Sequence, residues 1–411
     1  MTPLTSGRAF VVFAVFALGY FLSSLVRGVT ATLAPALTQE FALSSSQLGL
    51  LGGAYFLGFA MLQLPLGNWL DRVGPRRVLS FSLAAASLSC VAFAMADGFV
   101  SLLLARFICG VGVSACLIAP LTGARLWLQG SQQQSANAWM LMVGSLGLLT
   151  ATLPVQWALP VYGWRSLFLV LALFFALTVL GTARQVPAIQ SASAPSRGSS
   201  LFASYAPIFA NRYFRRMAWV GFVNYGILVA VQTLWAGPWM TAVAGYSAAE
   251  AARGLFAMNL TMLFVFWFWG MANPRLHRAG FVAERIILRG LPFGFIALAA
   301  IAWLGPRAGW EAFAIYCAMS SVLALTHPAI GMSFAAHEAG RAISAFNLLL
   351  FAGVFTTQWC VGAALDRLQA AHWQVVDAYR AVFGLLALAC GLSYLWLLQG
   401  STENRQMAAK A

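Results

Sequence analysis

Twelve apolar stretches, each about as long as a helix must be to cross a bilayer, leave this sequence little freedom of fold. A hydrocarbon core is spanned by about 20 apolar residues in a helix. Stretches of that kind recur at roughly 9–33, 47–69, 78–96, 101–124, 137–158 and 166–183, and again at 217–241, 251–271, 284–304, 311–335, 342–364 and 379–399. A closed barrel would show short alternating segments instead, so helices are the spanning elements. Only 8% of the 411 residues are charged and 61% are hydrophobic, whereas a soluble domain carries about 25% charged residues. The bilayer must be the solvent for most of the surface.

The net charge of +14 does not read as a nucleic-acid surface. The basic residues, all arginine except Lys410, are scattered over short loops and do not line one face. With the N-terminus inside, most loop arginines face inward; Arg165, Arg253, Arg307, Arg367 and Arg380 fall outside. That bias predicts a multi-pass protein of a bacterial inner membrane with both termini cytoplasmic. Arg8 precedes a run too long for a signal-peptide core and no small-residue cleavage site ends it, so no cleaved leader is expected. Cys90, Cys109, Cys116, Cys317, Cys360 and Cys390 lie inside apolar runs and read as buried hydrophobes. There are no paired carboxylates, no metal-ligand cluster, no nucleophile–base arrangement and no Gly-Lys-Ser/Thr phosphate loop. No enzyme activity, cofactor, metal or direct use of ATP is expected.

The sequence divides into a first half, 1–183, a linker, 184–216, and a second half, 217–411. The stretch from Ser191 to Ser200 has linker composition, and 201–216 mixes Phe202, Tyr205, Ile208 and Phe209 with Arg212, Arg215 and Arg216, as an interfacial amphipathic segment would. Trp164-Arg165-Ser-Leu-Phe168 opens the sixth span and Tyr379-Arg380-Ala-Val-Phe383 opens the twelfth. A loop at 67–77 has a degraded counterpart at 270–280, where Asn273-Pro274 replaces its acid. These repeats predict an all-α membrane protein of 12 transmembrane helices in two pseudo-symmetric six-helix bundles.

The 67–77 loop carries Gly67, Asp71, Arg72, Gly74, Arg76 and Arg77; the fourth span carries Arg106, Gly110 and Gly112; Gly163-Trp164-Arg165 opens the sixth. In these residues the chain resembles the major facilitator superfamily of transporters over its full length. The resemblance implies secondary active transport by alternating access and a conformational-latch role for the 67–77 loop. Asp71 would pair with a nearby arginine or a facing helix N-terminus in one state and release it in the other. The alternative is a positive-inside anchor, which needs neither the acid nor the glycines. Helix five, from Gly144 to Pro154, lacks the Gly-Pro pattern of drug–proton antiporters. Val26 and Val113 stand where anion–cation symporters carry acids, so that branch's proton pathway is not carried over.

Ionisable residues inside spans are functional candidates. Arg27 lies about 18 residues into the first span, roughly 27 Å from its inner end. Its planar fork suits a carboxylate or phosphate, and the alternative is snorkelling to the outer headgroups. For Arg106 the resemblance implies a part in proton coupling, and the alternative is structural hydrogen bonding between helices. His327, before Pro328, is a candidate for proton or substrate duty, or a satisfied bundle residue. The acids Asp71, Asp97, Glu250, Glu284, Glu311, Glu338, Asp366 and Asp377 lie in loops or near span ends. A positive core without carboxylates favours an anion. Tyr55, Gln232, Trp235 and Asn347 complete the substrate-binding candidates, and Gly237-Pro238 is expected to interrupt helix seven. Expected partners are a small anionic substrate, the lipid bilayer and protons, with the protein acting as a monomer. The alternative function is export of drugs or amphipathic metabolites, which would use the aromatic residues and not Arg27.

Overall fold

The computed structural model describes residues 6–127, 130–188, 205–278 and 283–408, and among them no strand occurs. Contacts divide the chain into two units. Unit 1 is Met1–Leu43 with Leu50–Ser199; unit 2 is Ser44–Gly49 with Ser200–Ala411.

Unit 1 begins with α1 (Ser6–Phe41) and continues through α2 (Ser45–Met61), whose first turn belongs to unit 2. The helix then bends by 42° into α3 (Gln63–Val73). Pro65 accounts for the bend: its ring displaces the carbonyl four residues earlier, at Met61, and it has no N–H to offer. The stretch expected as a loop at 67–77 is therefore largely helical. Gly67 to Arg72 ride on α3, and only Gly74, at φ +82°, breaks the path before α4 (Pro75–Ala94). No β-carbon is tolerated cheaply in that left-handed conformation. Arg76 donates to the carbonyl of Ala183, near the C-terminus of α8 (Leu153–Gln185), where cations are favoured.

The fourth span is α5 (Phe99–Val113) and α6 (Ala115–Trp127). The fifth was expected to run unbroken over 137–158. It is instead α7 (Gly130–Thr150), a break at Ala151-Thr152, and the start of α8. Gly163, at φ +72°, then splits α8 and releases the sixth span from Trp164. Among the described residues ten helices are long and apolar enough to cross a membrane, eleven with the bent α2–α3 pair.

Unit 2 opens with α9 (Ala206–Ala210) and α10 (Arg212–Val220), the latter capped by the Asn211 side chain accepting from Phe214 N at 3.0 Å. Ile208, Phe214 and Met217 are buried while Arg212 and Arg215 are exposed; residues 201–204 of the expected amphipathic segment lie outside the described residues. The seventh span continues through a π-helical turn at Gly221–Tyr225, α11 (Gly226–Ala230), a second π turn at Val231–Trp235, and α12 (Ala236–Ala242). Gly237-Pro238 thus does not interrupt the helix. Pro238 cannot bond to Leu234 and crowds its carbonyl, so the preceding turn widens instead. Next come α13 (Ala248–Arg278), α14 (Ala283–Leu304) and α15 (Trp310–Ser320). A tight 3-10 turn at Ser321–Leu325 leads into α16 (Thr326–Met332), followed by α17 (Ala336–Ala370) and α18 (Val375–Ala408).

The packing within each unit repeats. In unit 1, α4 packs on α5 and α8, and α1 on α7; in unit 2, α14 packs on α15 and α18, and α11 on α17. Glycines permit the close approaches. A β-carbon on Gly147 would stand 2.4 Å from the carbonyl of Phe21, and one on Gly353 would stand 2.1 Å from that of Phe222. The repeated arginines also match. Arg165 donates to Ala96 O at 3.3 Å, just past the end of α4, and Arg380 donates to Ala302 O at 3.0 Å, near the end of α14. Each caps carbonyls that no further turn of helix satisfies.

Two readings of the sequence need correction. Cys360 is exposed on the surface of α17, whereas the other five cysteines are buried. Glu40, absent from the acids counted above, accepts from Trp164 Nε1 at 2.7 Å and Arg165 Nη1 at 2.5 Å. It ties the C-terminal end of α1 to the start of the sixth span.

Candidate functional site

In unit 1 the candidates gather where α1, α2 and α5 meet. Because α1 runs on to Phe41, Arg27 stands about 21 Å short of its C-terminal end at 1.5 Å per residue. Arg27 is half-buried, donates through Nη2 to Ser24 Oγ at 3.4 Å, and acts electrostatically on Tyr55. Tyr55 is 1% exposed and donates its hydroxyl to Ser23 O at 3.2 Å.

Arg106 lies deeper, 2% exposed. It donates to Val26 O at 3.1 Å and to Thr30 Oγ1, and its guanidinium lies over the rings of Tyr55 at 5.4 Å and Phe93 at 5.9 Å. These contacts exist because Gly110 lets α5 touch α2: a β-carbon there would fall 1.9 Å from Tyr55 O. Among the described residues Arg106 is the one charged side chain in the buried set, which contains no Asp or Glu. Replacing Arg106 by methionine removes two charge-assisted hydrogen bonds and is expected to cost roughly 2–4 kcal/mol. A fall in thermal unfolding temperature in detergent would register it. Arg106→Lys, with a point charge and no fork, should recover only part.

In unit 2 the polar candidates sit on the irregular turns. Widened or tightened turns leave backbone groups displaced from the regular ladder and recur at functional positions. Asn224 donates to Ser393 Oγ at 3.3 Å from the first π turn. From the second, Gln232 donates to Asn259 Oδ1 at 3.0 Å, and Thr233 accepts from Gln358 Nε2 at 3.2 Å. Trp235 is wholly buried, and neither its Nε1 nor Gln358 Oε1 has a hydrogen-bond partner. His327 follows the 3-10 turn, its Nε2 2.8 Å from Asn347 Oδ1. With that oxygen accepting, Nε2 carries the proton. The rings of Tyr225 and Phe346 stand edge-on to the imidazole, at 6.4 and 5.4 Å between centroids.

His327 and Asn347, chosen separately from sequence, thus form one pair, and Arg27 and Tyr55 share one region of unit 1. Sequence reasoning missed Thr30, Asn259 and Tyr225, since none of these residue types is unusual in an apolar helix. For the latch candidates, Arg76 is engaged within unit 1 as described, and the Asp71 side chain lies outside the described residues.

The sequence profile of the Major Facilitator Superfamily matches residues 16–357. The chain belongs to this superfamily. It is 26% identical over 287 residues to the 4-hydroxybenzoate transporter PcaK of Acinetobacter baylyi, covering 61% of this chain and 63% of that protein. It is 22% identical over 316 residues to the niacin transporter NiaP of the same species, 70% of each. A match to the probable sulfoacetate transporter SauU of Cupriavidus necator has 26% identity over 58% of each chain. The chain therefore spans about three fifths of the length of the first curated relatives it matches. Among solved structures, a bacterial homologue of the human lysosomal transporter Spinster, inward-facing and occupied, has a TM-score of 0.73 at 20% identity, covering 97% of this chain and 98% of that one. A D-xylose–proton symporter has a TM-score of 0.75 at 14% identity, over 95% and 97%. These likenesses show the major facilitator fold: an all-helical, multi-pass membrane protein.

Proposed function

We propose that this major facilitator chain is a secondary active transporter of small organic anions, working by alternating access in a bacterial inner membrane with both termini cytoplasmic. The observation that carries this reading is the charge of its interior: Arg27 and Arg106 lie within spans, and no described Asp or Glu is buried. Such a core lowers the energy of an anion and raises that of a cation. Arg27 receives the anionic group, with Tyr55 behind it. Gln232, Trp235 and the His327–Asn347 pair serve the remainder of the substrate, and His327 carries the coupling proton. The relatives named for 4-hydroxybenzoate, sulfoacetate and niacin handle organic acids, which supports the same class here. The signature around Gly74 acts as the inner latch.

Purified protein in liposomes, offered labelled benzoates, pyridine carboxylates, sulfonates and sugar acids, tests the proposal. Accumulation of at least one anion that collapses with a proton ionophore is expected, and His327→Gln should uncouple that accumulation while leaving equilibration. Transport of none, with drug resistance conferred on cells carrying the gene, would overturn it in favour of an exporter.

A further inference from the structure

Inside unit 1, α4 and α5 hold a pair of thiols that the transport reading above does not use. The two helices are joined by residues 95–98 and pack antiparallel. Their backbones meet at Gly112, where a β-carbon would fall 2.5 Å from Ala86 N and 2.8 Å from Ala86 Cα. Cys90 lies one turn beyond Ala86 on α4, and Cys109 lies one turn before Gly112 on α5. The same close approach therefore brings the two sulfurs together, and their thiols share a hydrogen bond. Ser89, whose hydroxyl donates to Ala86 O at 2.7 Å, also hydrogen-bonds to both. Cys90 is 0% exposed and Cys109 2%.

The charge beside this pair is unbalanced. Arg106 stands one turn before Cys109 on the same face of α5 and acts electrostatically on both sulfurs. Its Nη1 and Nη2 are taken by Val26 O and Thr30 Oγ1, and its Nε has no hydrogen-bond partner. No Asp or Glu is buried among the described residues. A guanidinium held in such a place without a counter-ion is costly. Two adjacent thiolates would supply one charge too many and repel each other. A soft monovalent cation between them removes the excess: both thiols release a proton, two metal–sulfur bonds form, no electron is transferred, and the linear bis-thiolate carries a net charge of −1. Arg106 then balances it. A divalent ion on the same two sulfurs would be neutral and leave Arg106 as it was. Zn(II) also needs about four ligands, and no group of three or more His, Cys, Asp or Glu is placed to hold a metal among the described residues. Thiolate ligands select Cu(I).

We propose that Cys90 and Cys109 form a two-coordinate site for a soft monovalent cation, Cu(I) or Ag(I), with Arg106 as its counter-charge. The site does not rest on the transport reading. Spacing along the sequence hides it, because its two ligands come from different helices.

Full-length protein in detergent, carrying Cys360→Ser to remove the exposed thiol, is loaded anaerobically with Cu(I) against a chromophoric Cu(I) chelator. One ion per chain should be retained, with two sulfur neighbours in its X-ray absorption spectrum. Cys90→Ser or Cys109→Ser should abolish retention, whereas Cys116→Ser and Cys390→Ser should not. Arg106→Met should weaken affinity roughly 10- to 100-fold, the usual effect of losing a partner outside the ligand set. Arg106→Lys, which keeps the charge, should weaken it less. Loading should raise the unfolding temperature of the parent protein and not that of the Cys90 or Cys109 variants. No retained ion in folded parent protein would overturn the site, as would an ion that survives loss of either cysteine, or one with three or four sulfur neighbours. Unchanged affinity in folded Arg106→Met would overturn the counter-charge. Should that variant fail to fold, Arg106→Gln, which keeps a hydrogen-bonding amide, decides by the same measurement.

Discussion

Arg27→Gln is expected to weaken binding of the transported anion roughly hundredfold, since truncating one partner of a hydrogen-bonded charge pair in a dry site costs about 2–5 kcal/mol. The reason lies in where the side chain stands. On α1, well inside the helix, the guanidinium is half-buried and lies among Ser24 and Tyr55 in a unit whose buried set, among the described residues, holds no carboxylate. A carboxylate entering that region exchanges its water for a planar fork of donors. Arg27→Lys keeps the charge and loses the fork, so its affinity should lie between the two. Equilibrium binding of a transported anion to detergent-purified protein measures both, with thermal unfolding as the control for folding. Wild-type affinity in a folded Arg27→Gln protein would remove Arg27 from the site.

Gly110→Ala is expected to have the largest effect on stability. The added methyl would sit 1.9 Å from Tyr55 O and 2.7 Å from its carbonyl carbon, so backbone meets methyl with no flexible side chain to yield. α2 and α5 must separate, and the Tyr55–Ser23 bond and the Arg106–Tyr55 stacking go with them. A loss of about 3 kcal/mol or more follows for overpacking against rigid backbone. It should be read as poor expression and a lowered unfolding temperature. Gly353→Ala, 2.1 Å from Phe222 O in unit 2, should behave alike. Gly384→Ala, with nothing within 4 Å of its new methyl, is the control; as a helix-interior change it should be neutral or stabilise by about 0.5–1 kcal/mol. Equal losses at Gly110 and Gly384 would show that helix propensity, not contact, sets these glycines.

Much of the architecture was legible because it follows from length and charge alone. Helix breaks were harder. Gly163 stands out in sequence through its place in a motif, yet its left-handed conformation, which parts the fifth span from the sixth, is a backbone property that no apolar count reports. The expectation at Gly237-Pro238 failed for a related reason. A proline interferes one turn before itself, and a helix inside a bundle can widen there without parting. The 67–77 signature looked like a loop because it is polar, but α3 carries its polar residues on a helix end before turning at Gly74.

The candidate residues divide the same way. Arginine and histidine stand out in an apolar sequence, so Arg27, Arg106 and His327 could be picked without coordinates. Their partners could not. Val26 O is a backbone group and Thr30 is ordinary in a span; Asn347 is itself legible as a candidate, but nothing in the sequence pairs it with His327, and Glu40 escapes notice although it closes onto Trp164 and Arg165.

By itself the sequence determined that the solvent is lipid, that the spanning elements are helices, that the two halves repeat, and where the few charges fall along the chain. Tertiary structure alone decided which residues meet: Arg106 with α1, and His327 with Asn347. The physical reason is that a helix apolar on every side has no stripe to say which face packs inward. Only the close approach of backbones at glycines such as Gly49, Gly110 and Gly353 selects that face, and the neighbour that fills it is known once the chain has folded.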